Sequence, residues 1–134
     1  MSFRKLTIIF AGVALACGIS AAPALGDAYG FEPFGVGGEL DHSIQGENGY
    51  IESEGAGFTS PFADVCNWRV DYAHYDATGS GGAYRRFTGP TTYGCNRNAE
   101  ARGVVWNASA EPGTACAILY TNGVEKARQC HNIF

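Results

Sequence analysis

Residues 27–64 contain no lysine, no arginine and no cysteine. The same stretch holds eight acids: Asp27, Glu32, Glu39, Asp41, Glu47, Glu52, Glu54 and Asp64. Contact with phosphates needs cations, and the whole chain carries a formal charge of −4. Nucleic acid and anionic membranes are therefore excluded as expected partners. No G-x-S-x-G, H-E-x-x-H or phosphate-cradling glycine loop occurs, so neither an enzyme nor a cofactor is predicted. No C-x2-C pair occurs either, which argues against zinc, and no metal is expected. No segment sustains a helical period, and 19 glycines with 5 prolines oppose one. Beyond residue 26 there is no long apolar run, so no second candidate for a membrane span exists.

Such a run does stand at the start. Arg4 and Lys5 precede an apolar stretch over residues 6–19, followed by small residues. This pattern predicts a signal peptide over residues 1–26, cleaved after Ala24 or Gly26, and hence a secreted, extracellular protein. A lipid anchor at Cys17 is the alternative. Leu15 stands one place too late for it, so no membrane anchor is expected. Loss of Arg4 and Lys5 leaves a chain of about −6 formal charge, long enough for one small domain.

The four remaining cysteines, Cys66, Cys95, Cys116 and Cys130, all lie in residues 65–134. An even count in a short exported chain predicts two disulfides. Apolar and polar residues alternate over Cys66–Tyr72, and Val104–Val105–Trp106 reads as another strand. Residues 83–88 form a third, while the segment around Tyr93–Asn98 reads as loop. Asn122–Gly123 separates two strand-like runs, the strongest short signal for a hairpin. A two-residue loop there pairs Cys116 with Gln129 and Ala115 with Cys130. The two cysteines then point to opposite faces, which favours each reaching back to Cys66 or Cys95. Sequential pairing, 66–95 and 116–130, needs a bulge and stays open. The predicted fold is all-β: a small sandwich or barrel of six to eight strands, its disulfide-stapled four-cysteine domain spanning residues 65–134. Residues 27–64 form an acidic Gly-rich arm with weak edge strands.

Few side chains suggest chemistry. His74 and Asp76 share a face of one strand, more simply a surface hydrogen bond than an acid–base site. Glu52 and Glu54 pair two carboxylates, in a Gly-rich segment ill suited to fixed geometry. Arg85–Arg86 between Tyr84 and Phe87 reads as one outward and one strand-edge arginine facing the acidic arm of the same chain, ahead of a role in binding nucleic acid, sugar or a carboxylate partner. Trp68, Trp106, Tyr72 and Tyr120 are expected in the core. Asn107–Ala108–Ser109 matches a glycosylation sequon and is taken as chance.

The arm is the segment that suggests function. Tyr29, Phe31 and Phe34 sit among glycines and Pro33, with little local apolar framework to cover them. They are the expected partner-binding residues. A signal peptide, an acidic Gly-rich leader and a four-cysteine domain with Ala117–Ile118–Leu119–Tyr120 and Gln129–Cys130–His131 near its end resemble small secreted actinomycete proteins. Among these the chain is similar to the adaptor subunit of umbrella toxin particles, in layout and over most of its length. The resemblance implies a non-catalytic adaptor that docks by its N-terminal segment onto other secreted proteins, the subunits of an antibacterial toxin complex. It carries over no site residue. A weaker likeness is to small β-sandwich bacteriocins of the lactococcin type, which lack this cysteine set. A secreted protease inhibitor is the remaining alternative.

Overall fold

A computed structural model of the chain describes residues 27–133, so the predicted signal peptide lies outside the described residues. Ten strands follow in order: β1 (Ala28–Phe34), β2 (Gly38–Glu47), β3 (Tyr50–Thr59), β4 (Val65–Asp76), β5 (Arg85–Phe87), β6 (Thr92–Asn96), β7 (Asn98–Glu100), β8 (Val104–Ser109), β9 (Gly113–Thr121) and β10 (Val124–Ile133). They make two five-stranded antiparallel sheets. The first runs β1-β2-β3-β7, with β8 also paired to β3. The second runs β10-β9-β4-β5, with β6 also paired to β4. The fold is all-β, as the sequence predicts.

Two Asn-Gly turns set much of this. Asn122 and Gly123 have φ of 50° and 80°, the doubly positive pair of a hairpin turn between β9 and β10. Asn48 and Gly49, at 52° and 76°, do the same between β2 and β3. Period-two alternation then gives each strand an inward row. Leu40, Ala56, Phe58, Trp68, Val70, Tyr72, Ala117 and Leu119 meet in the main core. Phe58 packs edge-on against Trp68 at 5.0 Å. A second cluster, Ile44, Ile51, Ala115 and Ile133, fills the other end of the sandwich.

Residues 27–64 are more than an arm with edge strands. β2 and β3 are interior strands of the first sheet and supply Leu40, Ile44, Ile51 and Phe58 to the core. Only β1 is an edge strand, paired with β2 along its whole length. It also approaches β10 closely: a Cβ on Gly30 would fall 2.6 Å from Gln129 Nε2. The stretch read as loop around residues 93–98 is two short strands. There the chain crosses from the second sheet to the first, held by Arg97 Nε–H donating to Asp64 (3.0 Å) and Ser60 N–H donating to the Arg97 carbonyl (2.6 Å).

The favoured crossed disulfides are also corrected. Cys66 bonds Cys95 and Cys116 bonds Cys130. A register shift between Glu125 and Ala127 moves β10 by one residue, so Cys130 lies opposite Cys116 instead of Ala115. One extra residue in a strand is enough to turn the cysteines to the same face. Both bridges fit an oxidising compartment. No helix among the described residues is long and apolar enough to cross a membrane.

Candidate binding face

The outward positions of β1, β2, β3 and β7 form a face with three lateral rows. Tyr29 lies opposite Ser43, which lies opposite Gly55. Phe31 lies opposite Asp41, then Gly57, then Glu100. Pro33 lies opposite Glu39, then Thr59, then Asn98. Tyr29 and Phe31, two residues apart on one strand, point the same way and are 69% and 54% exposed. Of the three expected anchors, Phe34 is not on this face. It turns into the core at 8% exposure, because the sixth position after Ala28 falls in the inward row.

The acids of this face are free of cations. Among the described residues, Glu39, Asp41 and Glu100 make no ion pair. Four arginines pair elsewhere. Arg69 and Arg86 flank the buried Asp71 at 3.0 and 2.8 Å, Arg97 meets Asp64, and Arg128 meets Glu125. Arg85–Arg86 is thus neither a patch nor a contact to the acidic segment. Tyr120, expected in the core, lies on the outer face of the second sheet, stacked under Arg69 at 4.1 Å. That outer face also carries a cleft of about 750 Å³ between the 76–82 turn and β9–β10, floored by Cys116–Cys130.

A second cluster was not visible in the sequence. On β2 and β3 the inward positions between the two apolar clusters carry His42 and Glu54, and on β4 the equivalent position carries His74. Glu54 is 3% exposed, both histidines 0%. His42 Nε2–H donates to Glu54 Oε1 (2.8 Å), His74 Nε2–H to Glu54 Oε2, and Trp106 Nε1–H to Oε2 (2.8 Å). Arg85 Nε–H donates to His74 Nδ1 (3.0 Å). A guanidinium only donates, so His74 Nδ1 accepts and the ring proton sits on Nε2, facing Glu54. His131 Nε2–H donates to the His42 carbonyl (3.3 Å). His74 does not work with Asp76, which is exposed and accepts from Thr78 Oγ1 (2.6 Å) at a turn. Glu54 has the fixed geometry its Gly-rich surroundings argued against, while Glu52 is exposed.

This cluster ties the two sheets together and presents almost no surface to a ligand. Burial pushes the Glu54 carboxyl up, but the hydrogen bonds from His42 and His74 outweigh it and hold it at about 2, against an ordinary 4.5. A folded-state value below the unfolded one stabilises above pH 4.5, and the gain is lost as pH falls towards 2. That shift is worth about 3 kcal/mol. His131 is lowered by burial and by neighbouring His42, so its contribution to the loss begins higher, below its ordinary 6.5. Urea midpoints followed from pH 7 to pH 2 should fall in both windows. Glu54→Gln should remove the lower limb, and a variant that keeps it would show that Glu54 is not its source.

No family model matches the chain, and no curated protein or solved structure matches it. Among the described residues no group of three His, Cys, Asp or Glu side chains is arranged to hold a metal.

Proposed function

We propose that this chain is a secreted, non-catalytic binding protein that docks on another secreted protein through the outer face of its first sheet. Tyr29 and Phe31 are the anchors. The observation that carries this reading is their joint exposure on one face of an edge strand, beside carboxylates that find no cation in the described chain. Burying a ring of this size gains about 1.5–3 kcal/mol, and aromatic anchors dominate interfaces. Unpaired acids add steering towards a basic surface. The resemblance to toxin-particle adaptors supports partners among the subunits of an extracellular antibacterial complex.

Size-exclusion chromatography of the producer's culture fluid tests this. The wild-type chain should elute within a large assembly, and Tyr29→Ser/Phe31→Ser should elute as a monomer with an unchanged melting temperature. Both rings are exposed, so folding is not at stake. A double variant that stays in the assembly, or a wild type that runs alone, counts against the reading.

A further inference from the structure

The outer face of the second sheet is the reverse of the first in both charge and shape. The outward rows of β1, β2, β3 and β7 carry Glu39, Asp41 and Glu100 and no cation. On the second sheet, Tyr75, Thr114 and Asn132 form one outward row. Arg86, Ala73, Cys116 and Cys130 form the next, then Asp71, Ile118 and Arg128, then Arg69, Tyr120 and Glu125. That is three arginines against two acids. Lys126, exposed at the bulge of β10, adds a cation with no ion pair among the described residues. Where the first face has two protruding rings, the second has a hollow. The cleft of about 750 Å³ reaches from Tyr75 and the glycine turn to the Cys116–Cys130 bridge, across the first two rows. A drug-sized molecule fills a cleft of roughly 300–1,000 Å³, so two aromatic side chains fit. Its floor is apolar, since Cys116 packs with Ala73 and Ile118. Arg128 lines one side, held by Glu125 (2.8 Å) and by the Tyr75 hydroxyl (3.0 Å) before any partner arrives. Asp76 also lines the cleft, but its carboxylate accepts from Thr78 N–H (3.1 Å) in its own turn.

We infer that the ring-bearing face docks on the second sheet of another copy of this chain, with Tyr29 and Phe31 entering the cleft and Asp41 and Glu39 meeting Arg128 and Arg69. Charge complementarity selects this occupant: one face has acids without cations, and the other has cations in excess of acids. The pitch agrees as well. Successive outward residues on any strand stand about 7 Å apart. On the first face the rings occupy two successive rows, and Asp41 and Glu39 stand in the second and third. On the second face the cleft spans two rows and the arginines continue through the next two. Seating the rings in the cleft therefore brings the acids over the arginines. The two patches differ, so the contact is heterologous: each copy keeps one free ring face and one free cleft, and the contact repeats along a row of copies.

This inference rests on the reading of the first sheet as the contact surface, and the two fail separately. Sedimentation velocity of the purified full secreted chain, from micromolar to millimolar concentration, tests it. At low salt the wild type should grow past a dimer as concentration rises, and added salt should reverse the growth. Tyr29→Ser/Phe31→Ser removes the rings. Asn132→Trp/Lys126→Glu fills the cleft and reverses the free cation. All four residues are exposed, and unchanged melting temperatures verify that both variants fold. Each variant alone should stay monomeric. An equal mixture should form a dimer and nothing larger, because the first variant keeps its cleft and the second keeps its rings. A wild type that remains monomeric at millimolar concentration, or a mixture that stays monomeric while the wild type associates, would overturn the assignment. If the purified wild type is monomeric while assembly in culture fluid still needs Tyr29 and Phe31, the second copy is the wrong partner and the docking face stands. If assembly in culture fluid survives loss of both rings, the docking face falls and this contact with it.

Discussion

Replacing Glu54 with leucine should cost at least about 4 kcal/mol of stability, a large share of what a domain of this size has. The leucine side chain is apolar and roughly the right size, so the site is not left empty. What it leaves is three N–H groups, two fully buried on His42 and His74 and one on the half-buried Trp106, aimed at carboxylate oxygens that no longer exist. Each unsatisfied buried donor costs about 1–3 kcal/mol. Neither histidine can turn to bulk water instead, since both are fully buried. His42 has no reserve, because its Nδ1 finds no hydrogen-bond partner in the described structure. Glu54→Gln should fall between leucine and wild type. It keeps one acceptor oxygen but turns an NH2 group towards a donor. Urea unfolding followed by tryptophan fluorescence reads the effect directly, because Trp106 donates to Glu54 and Trp68 lies in the main core. A leucine variant within about 1 kcal/mol of wild type would mean that the network is incidental to the fold.

Reading the sequence recovers the elements that announce themselves locally. Asn122–Gly123 gives its hairpin, and alternation from Trp68 through Val70 to Tyr72 gives the inward row of β4. Asn48–Gly49 is the same signal, yet the strands beside it do not read as core. The inward row of β2 is Gly38, Leu40, His42, Ile44 and Gly46, with only two large apolar residues. Burial of a histidine and two glycines hides the period that hydrophobicity reveals elsewhere. The buried cluster is harder still. Its members stand at positions 42, 54, 74, 85, 106 and 131, and only the pairing of strands brings them together. The binding face has a partial signal: Tyr29 and Phe31 are visible as aromatics with nothing local to cover them, whereas the Asp41–Gly57–Glu100 row exists only once β2, β3 and β7 are in register.

Reducing both disulfides should remove about 6–7 kcal/mol and unfold the chain near physiological temperature. The sequence separations are 29 and 14 residues, which in a chain-entropy account correspond to about 3–4 kcal/mol each. The two bridges act at different places. Cys66–Cys95 holds β6 against β4, where the register is already broken between Cys66 and Trp68, beside the hydrogen bond that Trp68 Nε1–H donates to Asn96 Oδ1 (2.9 Å). Cys116–Cys130 joins strands that an Asn-Gly turn already aligns, but Cys116 is buried with Ala73 and Ile118 on the outer face of the second sheet. Serine there adds a hydroxyl to an apolar cluster, and serine at the exposed Cys95 does not. Each paired Cys→Ser variant is therefore expected to lower the melting temperature by roughly 10–20 °C, by loop entropy for 66–95 and by loop entropy with a smaller loop plus lost packing for 116–130. Circular dichroism melts of the two variants, with and without reductant, separate these contributions. Reductant should leave a chain with all four cysteines replaced by serine unchanged and drop the wild type towards it, stopping short by the penalty of the serine at position 116. Exported wild-type protein should show no reactive thiol when denatured. Two or more such thiols, or a wild type whose melting ignores reductant, would remove the bridges from the account of its stability.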